Sequence, residues 1–264
     1  MDELYIIKVG GDILENEEKL KQFVSNVSQI NHRKIIIHGG GKLVDQLASK
    51  LGIEQQMIDG RRVTNSETLD LTTMVYAGLI NKKMVAALQA NQNNAIGLTG
   101  ADNNCIQATQ RNPHPHNFGW VGDIVMEGVN TKFISSLVEY QITPVFCSIT
   151  HNNTGQLLNT NADTMASTIA SAFSKTYHVS LIYCFEKKGV LRNVSDENSA
   201  FPILTFEMYE ELKATEVISK GMLPKLENAF KAIHAGVENV IITHAEEILN
   251  IINLKKNVGT KITA

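Results

Sequence analysis

Short apolar runs alternate along the chain with longer segments whose apolar positions recur at helical spacing. The runs read LYIIKV (4–9), KIIIH (34–38), AIGLT (95–99), TPVFCSI (143–149), VSLIYCF (179–185) and VENVIIT (237–243). Most are continuously apolar, as is typical of strands that are covered on both faces. Strand, helix and strand in this order favour right-handed crossovers and parallel pairing. The pattern predicts a three-layer αβα sandwich around an open, mainly parallel central sheet.

Three helical segments stand out between these runs. The first has leucines four residues apart at Leu43, Leu47 and Leu51, and the second spans 64–90 with Ser66 as a candidate N-cap. A third, late in the chain, has its apolar positions at Leu223, Leu226, Phe230 and Ile233.

One region departs from this alternation. Two alternating runs at 105–110 and 121–128 flank a loop rich in proline and glycine, which predicts a β-hairpin added to the main sheet. His114 and His116 lie in that loop, but no acidic or cysteine ligand accompanies them at a suitable spacing. We interpret the loop as a solvated connection and expect no metal site formed by the protein.

Composition narrows the class of partner. Of the 264 residues, 43% are hydrophobic and 19% charged, and the net charge of -3 disfavours a nucleic-acid partner, which normally requires a basic face. No stretch approaches the roughly 18 apolar residues of a membrane span, so a cytoplasmic protein with small-molecule ligands is expected. Cys105, Cys147 and Cys184 are odd in number and far apart, which indicates reduced core thiols.

The string HGGGK (38–42) lies where a strand turns into a helix. At such a turn the helix N-terminus offers free N–H groups, and glycines let an anion approach the backbone closely. Val44 excludes the dinucleotide fingerprint, Leu43 after Lys42 excludes a Walker A loop, and no G-x-S-x-G elbow supports an esterase. A phosphate or carboxylate remains the expected ligand.

A second glycine turn, Gly10 and Gly11, follows the first predicted strand, and Lys8 lies near the end of that strand. A lysine inside a buried strand is costly without an anionic partner. Other groups suited to anions or their counter-ions follow along the chain at Arg61, Arg62, Asn159, Asn161, Asp163 and Lys225. Positioned cations and N–H donors are what phosphoryl transfer requires, so the set indicates a kinase.

Six motifs, in this order and spacing, resemble the amino acid kinase family over essentially the whole chain. They are IIKVGGD, IIIHGGGKLVDQL, GRRVT, LLNTNAD, GMLPKL and GTKI. The resemblance implies that ATP phosphorylates the side-chain carboxylate of N-acetyl-L-glutamate, a step of arginine biosynthesis, with Mg²⁺ held mainly by the nucleotide phosphates. Aspartokinase and glutamate 5-kinase usually carry added domains, and uridylate and carbamate kinases give no reason for GRRVT.

The resemblance also implies a role for each matching residue. Lys8 and Lys225 would stabilise charge on the transferred phosphoryl group, and Asp163 would hold both lysines. The remaining positions would contact ATP (Gly10, Gly11, Gly39, Glu186, Gly189) or the acylated glutamate (Gly40, Gly41, Arg62, Asn159). At 185–189 the chain reads FEKKG where many relatives have S/T-D-V-x-G, so the adenosine contacts depart from the usual pattern.

Relatives of this kind further imply two lobes on one continuous sheet. Residues 1–175 would bind the acyl amino acid and pair two subunits, and 176–264 would bind the nucleotide. Because few residues precede the first strand, a homodimer that arginine does not inhibit is expected. Two alternatives stay open: the same reaction on N-succinyl-L-glutamate, and a non-catalytic sensor of acyl amino acids or nucleotides.

Overall fold

The computed structural model describes residues 1–58, 60–215 and 221–264. The strands are β1 (Glu3–Val9), β2 (Arg33–His38), β3 (Met57–Ile58), β4 (Arg61–Arg62), β5 (Ala95–Leu98), β6 (Ile106–Gln110), β7 (Gly122–Val129), β8 (Thr143–Cys147), β9 (Ile149–His151), β10 (Leu157–Asn159), β11 (His178–Phe185), β12 (Ile203–Leu204), β13 (Asn239–His244) and β14 (Thr260–Ile262).

The helices alternate with these strands. They are α1 (Gly11–Glu15), α2 (Glu17–Ser28), α3 (Gly41–Leu51), α4 (Ser66–Thr73), α5 (Asn81–Ala90), α6 (Thr131–Glu139), α7 (Ala162–Phe173), α8 (Phe206–Ala214), α9 (Leu223–His234) and α10 (Ile248–Ile252). A π-helical segment, Met74–Ile80, joins α4 to α5, and short 3₁₀ turns lie at Asp102–Asn104 and Ala245–Glu247.

An eight-stranded sheet forms the centre of the fold, in the order β12-β14-β13-β11-β1-β2-β8-β5. The strands from β13 to β5 are parallel, whereas β14 pairs antiparallel with β13 and parallel with β12. The chain leaves β1 toward β2 and leaves β11 toward β13, on opposite sides. In an open α/β sheet, a ligand crevice is expected above the carboxyl ends of two such strands.

Both faces of the sheet are covered, which explains the continuously apolar strands. Along β1, Leu4 and Ile6 pack into the layer that contains α7 and α9, while Tyr5, Ile7 and Val9 pack into the layer that contains α2 and α10. The prediction of a mainly parallel αβα sandwich is confirmed. No helix within 1–58, 60–215 or 221–264 is long and apolar enough to cross a membrane.

The hairpin prediction is right about pairing and wrong about the sheet. Strands β6 and β7 pair antiparallel, with an irregularity between Ile106 and Ala108, but they join β9 and β10 in a separate four-stranded sheet. The run predicted as one strand at 143–149 feeds both sheets, because it divides into β8 and β9 on either side of Ser148. His114 and His116 are exposed in the loop of the hairpin.

Two helix predictions need correction. The pattern at 64–90 is helical from Ser66 onward, but its middle is the π-helical segment, and the N-cap is Asn65, whose side chain accepts from the Thr68 N–H. In α3 the fully buried positions are Val44 and Ala48, one residue beyond the predicted leucine stripe.

The three cysteines are free and buried, as predicted for core thiols. Burial raises the pKa of each thiol to about 12. All three are therefore protonated at neutral pH.

Two leucines test the two-layer core. Leu181 is fully buried in β11, whereas Leu51 at the end of α3 is 63% exposed. We expect Leu181→Ala to lower the free energy of unfolding by about 2–5 kcal/mol, because it removes buried methyl groups and leaves a cavity. Leu51→Ala should change it by no more than about 0.5 kcal/mol. Denaturant titration of both variants measures this, and equal losses would contradict the burial assignments.

Candidate active site

A cleft of about 720 Å³ opens above the carboxyl ends of β1 and β2. Eight of the residues predicted to form the site line it: Lys8, Gly11, Gly39, Gly40, Gly41, Arg62, Asn159 and Asp163. They come from β1, both glycine turns, the β3–β4 hairpin, β10 and the start of α7. The fold therefore assembles in one cleft residues that are up to 155 positions apart in the sequence (163 minus 8).

The Asp163 carboxylate lies between two lysines. Lys8 Nζ is 2.8 Å from Oδ1, and Lys225 Nζ is 2.9 Å from Oδ2. Both distances are those of charge-assisted hydrogen bonds. Each of the three side chains is at most 16% exposed, so solvent screens these charges weakly. One carboxylate thus holds two cations from opposite ends of the chain.

Burial and charge act against each other in this triad. Burial by itself disfavours the Asp163 carboxylate, but Lys225 and Lys8 outweigh it and hold the pKa of that carboxyl well below its usual range. Burial, together with the neighbouring Lys8, lowers the pKa of Lys225 to about 8 although Asp163 opposes the shift. A bound phosphate would favour the charged form of Lys225.

Local structure sets the triad in place. Asn161 caps α7 by accepting from the Thr164 N–H, and this places Asp163 in the first turn of that helix. Lys225 is in the first turn of α9, where a cation opposes the helix dipole. Its Nζ lies 5.2 Å from the centre of the Tyr183 ring, a cation–π contact that, together with Asp163, offsets the unfavourable position.

The two glycine turns bring bare backbone to the cleft. At the first, the Gly10 N–H donates to the Cys184 carbonyl at 2.9 Å, which fixes the turn against β11. At the second, Gly40 has φ of 139°, and a Cβ there would overlap Ile80 Cδ1. Glycine is therefore required at position 40 by both conformation and space.

Arg62 is held rigidly although it is far from the triad in sequence. Its Nη1 donates to Asp45 Oδ1 at 2.7 Å and to Gln55, and its Nη2 donates to the Gly41 carbonyl at 3.1 Å. The Nδ2 of Asn159 donates to Thr64 Oγ1 at 3.1 Å. Both side chains are thus oriented before any ligand binds.

Four predicted residues do not line the cleft. Lys225 contacts Asp163 and follows Pro224, which lines the cleft, and Gly10 lies in the first glycine turn. Glu186 is exposed at the rim, where the Asp12 carboxyl raises its pKa. Gly189 is buried against Thr260, so it supports the start of β14. The nucleotide roles of Glu186 and Gly189 stay predictions.

The cleft also contains residues that sequence reasoning missed. Arg111 and Asp123, on opposite sides of the hairpin, form a paired contact in which Arg111 Nε lies 3.1 Å from both carboxylate oxygens. Tyr76 reaches the cleft from the π-helical segment. The alternating hairpin pattern was visible in the sequence, but nothing in it indicated that the hairpin folds over the glycine turns.

An open, mainly parallel sheet with paired lysines and glycine turns above its carboxyl edge is the arrangement of an α/β phosphotransferase. Comparison with known proteins agrees. The model of the amino acid kinase family matches residues 3–244, and the chain belongs to that family. The resemblance seen in the sequence motifs is therefore confirmed.

Relatives extend over the whole chain. The acetylglutamate kinase of Cytophaga hutchinsonii is 49% identical and covers 100% of both chains. The acetylglutamate kinase of Phocaeicola vulgatus is 49% identical over 94% of this chain and 95% of its own. Among solved structures, smu.665 from Streptococcus mutans has a TM-score of 0.80 at 26% identity, with 99% of this chain and 98% of that chain covered.

The triad predicts how stability responds to loss of the carboxylate. Asp163→Asn leaves two buried ammonium groups without a counter-ion, so we expect a loss of about 3 kcal/mol of unfolding free energy at neutral pH. Asp163 raises the pKa of Lys225, so its loss moves that pKa below the wild-type value of about 8, and Lys225 gives up its proton at a lower pH in the variant. A neutral amine needs no counter-ion, so the loss should shrink as the pH rises toward about 8 and stay constant above it.

Thermal unfolding of the wild type and of Asp163→Asn, from neutral pH to above the wild-type Lys225 pKa of about 8, measures this loss of stability. Asp70→Asn, which changes an exposed carboxylate on α4, is the control and should unfold with the wild type. A deficit that grows with pH would contradict the charge argument.

Proposed function

We propose that the protein is an ATP-dependent kinase that phosphorylates the side-chain carboxylate of N-acetyl-L-glutamate; its full-length relatives are named acetylglutamate kinases. The observation that carries the proposal is the pair of lysines held by one carboxylate beside two glycine turns. The product would be an acyl phosphate, N-acetyl-L-glutamyl 5-phosphate, of the arginine pathway.

The reaction needs charge stabilisation more than proton transfer. A carboxylate oxygen of the substrate attacks the γ-phosphorus of ATP, the new P–O bond forms, and the bond to the β-phosphate oxygen breaks with release of ADP. Since a carboxylate is already ionised near neutral pH, no general base is required. Lys8 and Lys225 stabilise the negative charge on the moving phosphoryl group, and Asp163 positions both amines.

The other predicted residues divide between the two substrates. Gly10, Gly11 and Gly39 would contact the ATP phosphates and the moving group. Because the Gly10 N–H already donates to the Cys184 carbonyl, Gly11 and Gly39 would be the N–H donors. Gly40, Gly41, Arg62 and Asn159 seat the acylated glutamate, and the bonds of Arg62 to Asp45 and Gln55 pre-orient its guanidinium for a substrate carboxylate.

The lobe boundaries 1–175 and 176–264 fit this division of labour. Lys8 and Asp163 belong to the first lobe, and Lys225 belongs to the second. The phosphoryl group would therefore be transferred where the acyl-amino-acid lobe meets the nucleotide lobe. One continuous sheet spans both lobes, because β1 pairs with β11 along its whole length.

Mg²⁺ would be bound with the nucleotide. Among the described residues, no three His, Cys, Asp or Glu side chains group to hold an ion, and both oxygens of Asp163 face lysines. This donor set fits a Mg²⁺ that keeps water and phosphate ligands rather than a cage of protein carboxylates. When bound, the ion would neutralise charge on the β- and γ-phosphates.

An ATP-consumption assay tests the function. We expect turnover with N-acetylglutamate in preference to free glutamate, aspartate and UMP, and the ratio to N-succinylglutamate identifies the acyl group. Lys8→Ala and Lys225→Ala should each lower kcat about 100-fold or more with less change in KM, because these amines act mainly in the transition state.

Lys50→Ala is the matched control, since Lys50 is exposed in the last turn of α3 and does not line the cleft. Its turnover should equal that of the wild type. If Lys8→Ala and Lys225→Ala turn over as fast as Lys50→Ala, the proposed mechanism is wrong. Binding of both ligands without turnover would instead support the sensor alternative.

We further propose that two copies pair through the first lobe. Strand β5 lies at the edge of the eight-stranded sheet, and its Ile96 is 37% exposed. Met74 and Leu79 of the π-helical segment, which continues into the helix α5 that packs on β5, are 61% and 39% exposed. An open strand edge beside exposed apolar side chains is a surface that a second copy can cover.

Light scattering should give twice the chain mass of 29.1 kDa. Met74→Lys combined with Leu79→Lys should shift the protein toward the monomer, because the pairing surface would then bury charge. Leu254→Lys, at a 60% exposed leucine of the second lobe, should leave the mass unchanged. A wild-type monomer or hexamer would overturn the proposal.

A further inference from the structure

His38 precedes the three glycines of the second turn but does not face the ligand cleft. It is fully buried, its Nδ1 lies 2.9 Å from the Gly39 carbonyl oxygen, and its Nε2 lies 3.1 Å from Asn81 Nδ2. The mechanism proposed above does not use this imidazole. Its two nitrogens are nevertheless both engaged, one of them with the backbone of the glycine turn.

The neighbours of Asn81 determine which nitrogen of His38 carries the proton. Asn81 Nδ2 is 2.9 Å from the Val145 carbonyl, which only accepts, and Asn81 Oδ1 is 3.2 Å from Lys82 Nζ, which only donates. The amide group that faces His38 is therefore the NH₂, so Nε2 accepts. The proton is on Nδ1, which donates to the Gly39 carbonyl. Burial also lowers the pKa of His38 to about 4, which keeps the ring neutral.

The π-helical segment places the residues that pack on the turn. The Asn81 N–H donates to the carbonyl of Tyr76, five residues earlier, which is the spacing of a π turn. Tyr76 and Ile80 are the side chains nearest to a Cβ built on Gly40, while Asn81 reaches His38. One irregular helical turn therefore contacts the glycine turn through packing and the histidine through a hydrogen bond.

We propose that His38 and Asn81 are positioning residues, which fix the Gly39–Gly40 peptide so that the Gly40 N–H is presented to the cleft where the acceptor carboxylate of the acylated glutamate meets the moving phosphoryl group. In a trans peptide the C=O and N–H point in opposite directions. A Gly39 carbonyl held by the buried His38 Nδ1–H therefore directs the Gly40 N–H away from the core, and both glycines line the cleft. This inference rests on the proposed kinase function.

The first test is the tautomer of His38, read from the ¹⁵N shifts of the imidazole in the wild-type protein. We expect a protonated Nδ1 and an unprotonated Nε2 at neutral pH, with the resonance assigned by its loss in His38→Asn. A His38 protonated on Nε2 would overturn the proposal. This readout needs no catalytic activity, so it stands even if the proposed kinase reaction fails.

A matched pair of variants then tests the donor itself. His38→Asn places an amide donor where Nδ1 was, whereas His38→Leu has a similar branched shape and no donor; both lose the bond to Asn81. We expect His38→Leu to have a kcat at least about tenfold below that of His38→Asn, because a misdirected N–H no longer stabilises the transition state. The KM for ATP should differ less than kcat. Equal kcat values in the two variants would contradict the proposal.

A second pair covers the case in which the His38 variants do not fold. Asn81→Ala and Asn93→Ala each remove a buried amide, and Asn93 accepts from Thr143 at the start of β8, away from the carboxyl ends of the strands where the cleft lies. Both should lower the midpoint of thermal unfolding, but Asn81→Ala alone should lower kcat and release the fixed tautomer of His38. If Asn81→Ala and Asn93→Ala lose the same fraction of kcat, the role of Asn81 is only structural and the proposal is wrong.

Discussion

The interaction on which the rest of the structure depends is the shared carboxylate of Asp163. Two buried ammonium groups cannot lie close together without a counter-ion, and Asp163 supplies it to Lys8 and Lys225 at once. This requirement brings the end of β1, the first turn of α7 and the first turn of α9 to one place. Burial has already lowered the pKa of Lys225 to about 8. A further negative group beside the triad, such as a bound phosphate, would therefore stabilise it.

Backbone geometry supplies the other half of the site, and it depends on packing as much as on glycine. Gly40 can adopt its φ of 139° as a glycine, but Tyr76 and Ile80 close the space on one side of it and His38 holds the preceding carbonyl. The side chains that hold this turn therefore take no direct part in the proposed phosphoryl transfer. Rigid N–H donors are effective in catalysis because they need no reorganisation when negative charge develops.

Sequence reasoning predicted the parts of this structure that depend on local pattern. Continuously apolar strands, glycine turns and the catalytic-looking lysines were all visible, because each leaves a local pattern of residue types. What it missed depends on contacts between distant segments. The hairpin joined a second sheet, Arg111 reached the cleft with it, and Ser66 lost the cap position to Asn65. The local sequence does not show which of two adjacent polar residues, Asn65 or Ser66, caps the helix. It also does not show which sheet a hairpin will join.

Several cations of the cleft are paired with carboxylates, and this pairing affects how the cleft binds anions. Arg62 meets Asp45, Arg111 meets Asp123 and Lys42 meets Asp12, in addition to the triad. Each carboxylate fixes the direction of its cation and reduces the repulsion between neighbouring cations. An arriving phosphate or carboxylate therefore meets donors that are already fixed in direction. The carboxylates repel an anion, but by offsetting the repulsion between the cations they allow several cations to lie side by side in one cleft.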